Sequence, residues 1–276
     1  MQDLDNRVRT AALEALQIAG GGDEWILQSL TSPDLAVRGT AVSVLEQRDH
    51  PQKLERLSAA YEASAGVDWI EIREAVVDAV ADLDGAVPLL RRIARQDSAS
   101  SVRGKARAAL ADLGLELPEA AEPVPESSPF LDVRFERDPV VLLETSKGEI
   151  EIRCFADDAP IHVASFVKLV REGFYDGLIW HRVVSNFVIQ GGDPRGDGWG
   201  SAGFTLRDEI NTRRYGRGAV GMPTAGKDTG GCQLFITHIP TPHLDGNYTI
   251  FGQVISGMQV VDAIEVGDSI VRARLR

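Results

Sequence analysis

Two polar side chains interrupt an otherwise apolar stretch, WHRVVSNFVIQGGD, at residues 180–193. Arg182 and Gln190 lie there among aromatic and β-branched residues, and their polar ends resist desolvation unless a partner satisfies them. A guanidinium is always charged, presents a rigid fork of N–H donors and tolerates partial burial better than an ammonium. The pair could therefore supply hydrogen bonds to a bound amide. Taken alone, an arginine in a strand is more often an edge or surface residue.

The elements that must position this pair are two short strands, Trp180 to Val184 and Phe187 to Gln190, joined by Ser185-Asn186. From residue 139 onward the apolar residues alternate with a period of two. VVLLETSKGEIEIRCF predicts a hairpin, and APIHVASFVKLVREG and GMQVVDAIE predict two helices. Further strand-like runs are separated by glycine-rich turns. This pattern predicts a closed, eight-stranded antiparallel β-barrel with two helices.

The first half of the chain contains an internal repeat. VRTAALEAL (8–16), VRGTAVSVL (37–45), IREAVVDAV (72–80) and VRGKARAAL (102–110) share one template, with spacings of 29, 35 and 30 residues between their arginines. These spacings are typical of a two-helix repeat, and the template places its apolar residues on one helical face. The arginines are Arg9, Arg38, Arg73 and Arg103.

A second apolar segment precedes every copy but the first, and a turn carrying Asp34, Asp68 or Asp97 joins the two. Such an aspartate can act near a helix N-terminus. The pattern resembles HEAT repeats of the short bacterial kind over residues 1–114. A residue that recurs in a repeat usually serves the repeat, so we expect these Arg and Asp side chains to be structural. The missing first helix suggests a trimmed piece of a longer array.

Between the two patterns, residues 115–138 carry several glutamates and four prolines before Phe130. This composition predicts a stiff, extended, acidic linker, with an interaction tail as the alternative. The predicted organisation is therefore a helical α solenoid (1–114), a linker (115–138) and a β-barrel domain (139–276). A length of 276 residues suits two separate cores.

Composition excludes several classes of function. The chain is 43% hydrophobic and 25% charged, which is typical of globular proteins. Its net charge of −12 argues against nucleic-acid binding, because phosphate contacts need a basic surface. Neither a signal peptide nor an apolar run of about 20 residues is present, so no membrane span is predicted. We expect a cytoplasmic protein, with periplasmic export left open by a trimmed N-terminus.

The four histidines after residue 139 lack the spacing of a metal site. Two cysteines, Cys154 and Cys232, are expected to be buried thiols rather than a bridge. The glycine-rich loop GGDPRGDGWGSAG lacks the context of a phosphate-binding loop and is interpreted as a flexible barrel loop.

From Val140 to the C-terminus, the order and spacing of FYDGLIWHRVVSNFVIQGGDPRGDGWGSAG, DEI and GAVGMPTAGKDTGGCQLFITHIPTPHLDGNYTIFGQVISGMQVVDAI resemble the cyclophilin family of peptidyl-prolyl cis-trans isomerases. The resemblance implies that Arg182 is the catalytic arginine and that Gln190 orients it and contacts the substrate carbonyl. The implied substrate-binding residues are Phe187, Val188, Phe235 and Leu244 in a proline pocket, and Gln233, Pro223, Thr224, His243 and Tyr248 around it.

Several of these positions depart from the family pattern. Pro223-Thr224 stands where the family usually has Ala-Asn and binds the substrate backbone. Val188 replaces a frequent Met, and Leu234 a frequent Phe beside the pocket. Tyr248 replaces a frequent His but keeps an aromatic wall with a polar tip. His243 occupies the position of the tryptophan found in strongly cyclosporin-sensitive members, so the loss of the indole donor affects drug binding more than catalysis.

The resemblance implies an isomerase that acts on X-Pro bonds of protein substrates and assists protein folding. It implies no cofactor and no metal. The helical repeats would then contact a protein partner. The alternative is a module that binds proline-containing peptides without catalysis, on a scaffold in which the repeats do the main work.

Overall fold

The computed structural model describes residues 5–119 and 128–276, and the chain divides into two units, Met1–Pro125 and Glu126–Arg276. Each unit buries its own set of apolar side chains. The division follows the predicted change from a helical to a two-residue periodicity.

The repeat copies form helices α1 (Asn6–Ala19), α3 (Leu35–Glu46), α5 (Ile70–Val80) and α7 (Ser100–Asp112). The segments that lead into them form α2 (Asp23–Ser29), α4 (Lys53–Glu62) and α6 (Val87–Gln96), with a 3-10 turn at Val67–Trp69. This confirms the predicted helical repeats.

The first position of the repeat template shows how the helices pack. Val37, Ile72 and Val102 are at most 1% exposed, whereas Val8 in the first copy is 50% exposed. Within the described residues no leading helix precedes α1. The apolar face that the later copies bury is therefore partly open on the first.

The arginines of the repeat bind backbone carbonyl groups. Arg38 donates to the carbonyl oxygen of Ser32 at 2.8 Å and stacks on the Trp69 ring, with its guanidinium carbon 3.8 Å from the ring centre. Arg73 donates to the carbonyl oxygen of Ser64 at 2.7 Å and pairs with Asp97 at 2.9 Å. These groups are nearly fully buried, and each unpaired donor would cost about 1–3 kcal/mol. The structural role predicted for these arginines is confirmed.

Asp34 and Asp97 act near helix N-termini as predicted. Asp34 caps α3 by accepting a hydrogen bond from the amide of Val37 at 3.0 Å. Asp97 accepts one from the amide of Ala99, the residue before α7, at 2.8 Å. Asp68 lies in the 3-10 turn that precedes α5.

Part of the predicted linker packs on the second unit. The Phe130 side chain is 5% exposed and lies 5.5 Å from the ring centre of Phe204. The Phe130 ring therefore anchors this part of the predicted linker to the second unit, which a free spacer would not do. Residues 120–127 of the linker lie outside the described residues, and the boundaries 114/115 and 138/139 remain a proposal.

In the second unit, the described residues form one sheet of eight strands in which every pairing is antiparallel. The strands are β1 (Val140–Thr145), β2 (Gly148–Cys154), β3 (Trp180–Val184), β4 (Val188–Gly191), β5 (Ala219–Gly221), β6 (Leu234–Thr237), β7 (Ile250–Ser256) and β8 (Ile270–Leu275). Their order is β3-β4-β6-β5-β7-β2-β1-β8. The helices are α8 (Pro160–Arg171) and α9 (Met258–Ala263), with a 3-10 turn at Pro242–Leu244.

The sheet curls so that its two end strands meet. An isolated bridge joins Ile179 to Ser269, and the amide of Gly177 donates to the carbonyl oxygen of Ile270 at 2.7 Å. The predicted eight-stranded barrel with two helices is confirmed, and backbone hydrogen bonds between residues 177–180 and 267–270 join its two ends.

Alternation along the strands separates the core from the site. Ile189, Leu234 and Ile236 point into the main core together with the apolar face of α8. Val188 and Phe235 point to the other side of the sheet and form a second, smaller apolar cluster. Because successive strand residues face opposite sides, Gln190 shares the side of Val188.

The two cysteines lie in the main core. Cys154 and Cys232 are buried and unbridged, and burial raises the pKa of each thiol to about 12. Over residues 5–119 and 128–276, no helix combines the length and apolar character that crossing a bilayer requires. Within the same residues, no group of three His, Cys, Asp or Glu side chains could hold a metal ion.

Candidate active site

The hairpin that contains Arg182 closes through an unusual backbone conformation. Asn186 adopts φ of +58°, and the amide of Phe187 donates to the carbonyl oxygen of Val184 at 3.0 Å. Asparagine tolerates this left-handed region better than most residues. The turn thus includes Phe187, one residue more than the sequence predicts, and it places the Phe187 ring at the mouth of the hairpin.

Strand register brings the predicted residues into one row across the sheet. Arg182 on β3 pairs with Gln190 on β4, and Gln190 pairs with Phe235 on β6. Phe235 in turn pairs with Gly221 on β5, and Gly221 with Ile250 on β7. A polar end and an aromatic floor therefore lie side by side on the outer face of the sheet. We call this surface the groove.

A series of hydrogen bonds connects the polar side chains of the groove, and we call this series the polar chain. Arg182 Nη1 donates to Gln190 Oε1 at 3.4 Å, and Gln190 Nε2 donates to Gln233 Oε1 at 3.0 Å. Gln233 Nε2 then donates to the carbonyl oxygen of Gly198 at 2.9 Å. The structure thus brings together all three polar residues that the sequence singled out in the groove.

The Arg182 guanidinium is exposed, and its central carbon lies 5.8 Å from the centre of the Phe187 ring. In the part of the chain that the structure describes, no carboxylate forms an ion pair with it. Its remaining N–H donors are therefore available to a bound molecule. The neighbouring His181 is half-buried, and burial lowers the pKa of its imidazole while Asp193 and Asp197 oppose this effect.

The apolar part of the groove is an aromatic pocket. Phe235 is 5% exposed, and Tyr248 meets it edge to face, with their ring centres 6.1 Å apart. His243 stacks on Phe187 at 5.4 Å between ring centres. The buried residues of this cluster are Val188, Tyr215, Ala219, Phe235, Leu244 and Ile250, with Phe155, Phe187 and Tyr248 packed against them. All the residues predicted for the proline pocket therefore lie in one cluster.

Pro223 and Thr224 lie two and three residues after Gly221 of the groove floor. They follow the end of β5 at Gly221 and are half-buried in the loop that leads toward β6. They are not members of the apolar cluster that contains Phe235. Their substrate-binding role stays a prediction.

Tyr215 and Gly221 form part of the groove floor but were not identified from the sequence. The Tyr215 ring stacks on Phe235 at 5.4 Å, and its hydroxyl donates to the carbonyl oxygen of Thr249 at 3.2 Å. A Cβ at position 221 would lie 2.3 Å from the Tyr215 hydroxyl oxygen and 2.5 Å from Cζ of Phe235. Glycine at 221 therefore lets two aromatic rings approach the backbone of β5.

The loop after β4, interpreted from sequence as flexible, is held by a buried side chain. The Asp193 carboxylate is 1% exposed and accepts hydrogen bonds from the amides of Arg195, Asp197 and Gly198. This loop carries the Gly198 carbonyl that ends the polar chain. The sequence contains a signal for it, since an aspartate before Pro-Arg-Gly favours a turn in which its side chain binds following amides.

Comparison with known proteins identifies similar domains. A family model described as cyclophilin type peptidyl-prolyl cis-trans isomerase/CLD matches residues 140–274, and one described as HEAT repeats matches residues 23–111. The chain is 46% identical over 136 residues to a peptidyl-prolyl cis-trans isomerase of Synechococcus elongatus, covering 49% of this chain and 94% of that protein. It is 46% identical over 130 residues to peptidyl-prolyl cis-trans isomerase B of Bacillus subtilis, covering 46% of this chain and 91% of that protein. A crystal structure of a Cryptosporidium parvum cyclophilin type peptidyl-prolyl cis-trans isomerase aligns with a TM-score of 0.48 at 28% identity. The alignment covers 50% of this chain and 98% of that chain.

Proposed function

The chain belongs to the cyclophilin-type peptidyl-prolyl cis-trans isomerase family, and on that premise we propose that its C-terminal unit works through the groove centred on Arg182. The unit is a peptidyl-prolyl cis-trans isomerase that acts on X-Pro bonds of protein substrates. The proposal assigns the roles of individual residues.

The isomerisation of an X-Pro amide makes and breaks no covalent bond. Rotation about an X-Pro amide faces a barrier of about 18–20 kcal/mol, because the C–N bond loses its partial double-bond character. Uncatalysed exchange therefore takes tens to hundreds of seconds. A catalyst must bind the twisted amide more tightly than the planar one, and each 1.36 kcal/mol of that difference is about tenfold in rate.

Arg182 is the proposed donor for this step. As the amide twists, the lone pair of the prolyl nitrogen leaves conjugation and becomes a better hydrogen-bond acceptor. A guanidinium that faces this nitrogen stabilises the twisted state more than the planar state. Gln190 accepts from Arg182 at 3.4 Å, so it orients the guanidinium and is close enough to contact the substrate carbonyl. This hydrogen-bonded pair beside the aromatic floor is the observation that carries the proposal.

The aromatic pocket supplies binding. Phe235, Leu244 and Val188 present a buried apolar surface, Phe235 lies in the same row across the sheet as Arg182, and Phe187 and Tyr248 close the sides of the pocket. We assign these residues to the proline ring, because burial of its methylene groups provides about 0.8 kcal/mol each. His243 supports Phe187 by stacking, and we assign Pro223 and Thr224, in the loop after β5, to the substrate backbone.

Substitution of Arg182 in the full chain tests the proposal. We expect Arg182→Ala to lower the cis-trans exchange rate of an X-Pro peptide by about 100- to 1,000-fold, the usual cost of losing one such donor. Arg272 on β8 is also exposed, pairs in register with Glu144 on β1 and is not part of the groove, so Arg272→Ala is the matched control. An unchanged rate in Arg182→Ala would overturn the assignment. Peptide binding without acceleration by the native chain would instead support the non-catalytic module.

For the N-terminal unit we propose a role in protein interaction, in which the HEAT repeats deliver unfolded client proteins to the isomerase. The support is the repeat match itself and the linker that joins the two units in one chain. Deletion of residues 1–114 should slow refolding of a proline-limited protein client but not isomerisation of a short peptide. Equal activity of both forms on the protein client would sink this part of the proposal.

A further inference from the structure

The Asp193 carboxylate is a buried charged group without a role in the reaction as described so far. It lies directly after β4, and it is 1% exposed. One oxygen accepts from the Arg195 amide at 2.8 Å, and the other accepts from the amides of Asp197 at 3.0 Å and Gly198 at 2.5 Å. Three backbone donors on one carboxylate fix the path of residues 195–198, because a buried carboxylate is costly to leave unpaired.

The loop that Asp193 holds sets the direction of the polar chain in the groove. The carbonyl oxygens of Gly198 and Gly200 can only accept, and they receive Gln233 Nε2 at 2.9 Å and 3.4 Å. The Gln233 oxygen must then face Gln190, which turns the Gln190 oxygen toward Arg182. A guanidinium can only donate, so the donor and the acceptor of each hydrogen bond between the loop carbonyls and Arg182 are fixed.

Without the two carbonyl groups, the amide of Gln233 could rotate by half a turn and present its nitrogen to Gln190. The Gln190 amide would then have to turn as well, and its nitrogen would face the guanidinium donor to donor. The orientation of Arg182 therefore depends on a backbone segment that touches neither Arg182 nor the proline pocket.

We propose that Asp193 is a positioning residue for isomerisation, which holds the loop carbonyls that orient Gln233, Gln190 and, through them, Arg182. This inference rests on the proposed role of Arg182. Gly200 adds a second constraint, since a Cβ at this position would lie 1.7 Å from Oδ1 of Asp193. The carboxylate is thus enclosed between the loop amides and the Gly200 backbone.

Asp193→Asn in the full chain is the primary test. The amide has the same shape, but its NH2 group cannot accept from the amides of Asp197 and Gly198. We expect the bound-state exchange rate of an X-Pro peptide to fall by about tenfold, the equivalent of roughly one lost hydrogen bond in the transition state. The peptide Kd should change by less than about twofold, because the aromatic pocket is untouched.

A double-mutant cycle separates positioning from general destabilisation. Gln233→Leu breaks the chain at its middle, so Asp193→Asn should cause no further loss of rate in that background. Losses that add in full would show that Asp193 does not act through Gln233. Asp176 is exposed and accepts from the amide of Ala273 on β8, outside the groove, so Asp176→Asn should leave the rate unchanged.

A second variant keeps the inference testable if Asp193→Asn does not fold. Gln233→Leu leaves Gln190 Nε2 without its acceptor, so it should reproduce the loss while Asp193 stays in place. If Arg182→Ala removes activity but Asp193→Asn and Gln233→Leu do not, this inference is wrong and the proposed function stands. If Arg182→Ala keeps the native rate, the proposed function itself is wrong.

Discussion

Gly221 offers a sharp test of how the groove floor is built. Its hypothetical Cβ lies 2.3 Å from the Tyr215 hydroxyl oxygen and 2.5 Å from Cζ of Phe235. Ordinary van der Waals contacts begin at about 3.5 Å, so Gly221→Ala forces both rings to move by about 1 Å. Phe235 is 5% exposed and Tyr215 2% exposed, which leaves neither ring free space to move into.

The expected magnitude follows from these contacts. Overpacking of a filled core costs about 1–3 kcal/mol, and displacement of Tyr215 also weakens its hydrogen bond to Thr249, worth about 1 kcal/mol. For a unit of this size, about 2–4 kcal/mol corresponds to a fall in Tm of about 4–16 °C. A shift of about 1 Å in a residue that holds the substrate can cost up to about 100-fold in rate.

Thermal unfolding and peptide exchange kinetics measure the two effects on the same sample. The matched control is Gly216→Ala, whose Cβ would meet nothing within 4 Å and where φ is not left-handed. Tyr215→Phe removes the hydroxyl that makes the shorter contact, so it should restore part of the stability lost in Gly221→Ala. A Gly221→Ala chain with native Tm and native activity would refute this account of the floor.

Two further predictions concern ionisation. Glu74 is 2% exposed, and burial raises the pKa of its carboxyl group while Ser101 and Lys105 offset part of the rise. The folded unit therefore binds this proton more tightly than the unfolded chain, and it loses stability as pH rises above about 4.3. Glu74→Gln should raise the Tm of the N-terminal unit at pH 7, and this gain should vanish in acid. The control Glu55→Gln, at an exposed position, should not raise the Tm. Equal changes in Tm for Glu74→Gln at pH 4 and pH 7 would contradict this prediction. Because burial lowers the pKa of His181 and Arg182 stays charged, the isomerisation rate should be constant between about pH 7.5 and 9, and a bell-shaped profile in that range would show a titrating catalytic group.

The parts of the fold that periodicity controls could be predicted from the sequence. The repeat template predicts that Val37, Ile72 and Val102 are buried, because one helical face repeats at a constant interval. Alternation in FVIQ likewise places Gln190 on the side of Val188, whereas the face that Arg182 occupies follows from its register with Gln190 in the structure. The cyclophilin resemblance then supplied Gln233, Phe235 and Leu244, which come from segments distant in the sequence.

Features that depend on tertiary contacts could not be predicted in this way. Tyr215 lies in the irregular segment 207–218, where no period places its ring under Phe235. Phe130 follows a proline-rich stretch whose composition indicates a spacer, and only its packing on Phe204 assigns it to the second unit. Asp193 appeared in a loop of glycines and charges, and its effect on Gln233 requires the position of the Gly198 carbonyl.

The central claim is that the Arg182 guanidinium accelerates rotation of a prolyl amide whose ring the aromatic pocket holds. Exchange spectroscopy at saturating X-Pro peptide tests it most directly, since it gives the bound-state rate and the Kd separately for the native chain, Arg182→Lys and Arg182→Ala. We predict a Kd within about threefold of native for both variants and a bound-state rate at least about 100-fold lower in Arg182→Ala, with Arg182→Lys between them. A native bound-state rate in Arg182→Ala, with only the Kd weakened, would contradict the claim.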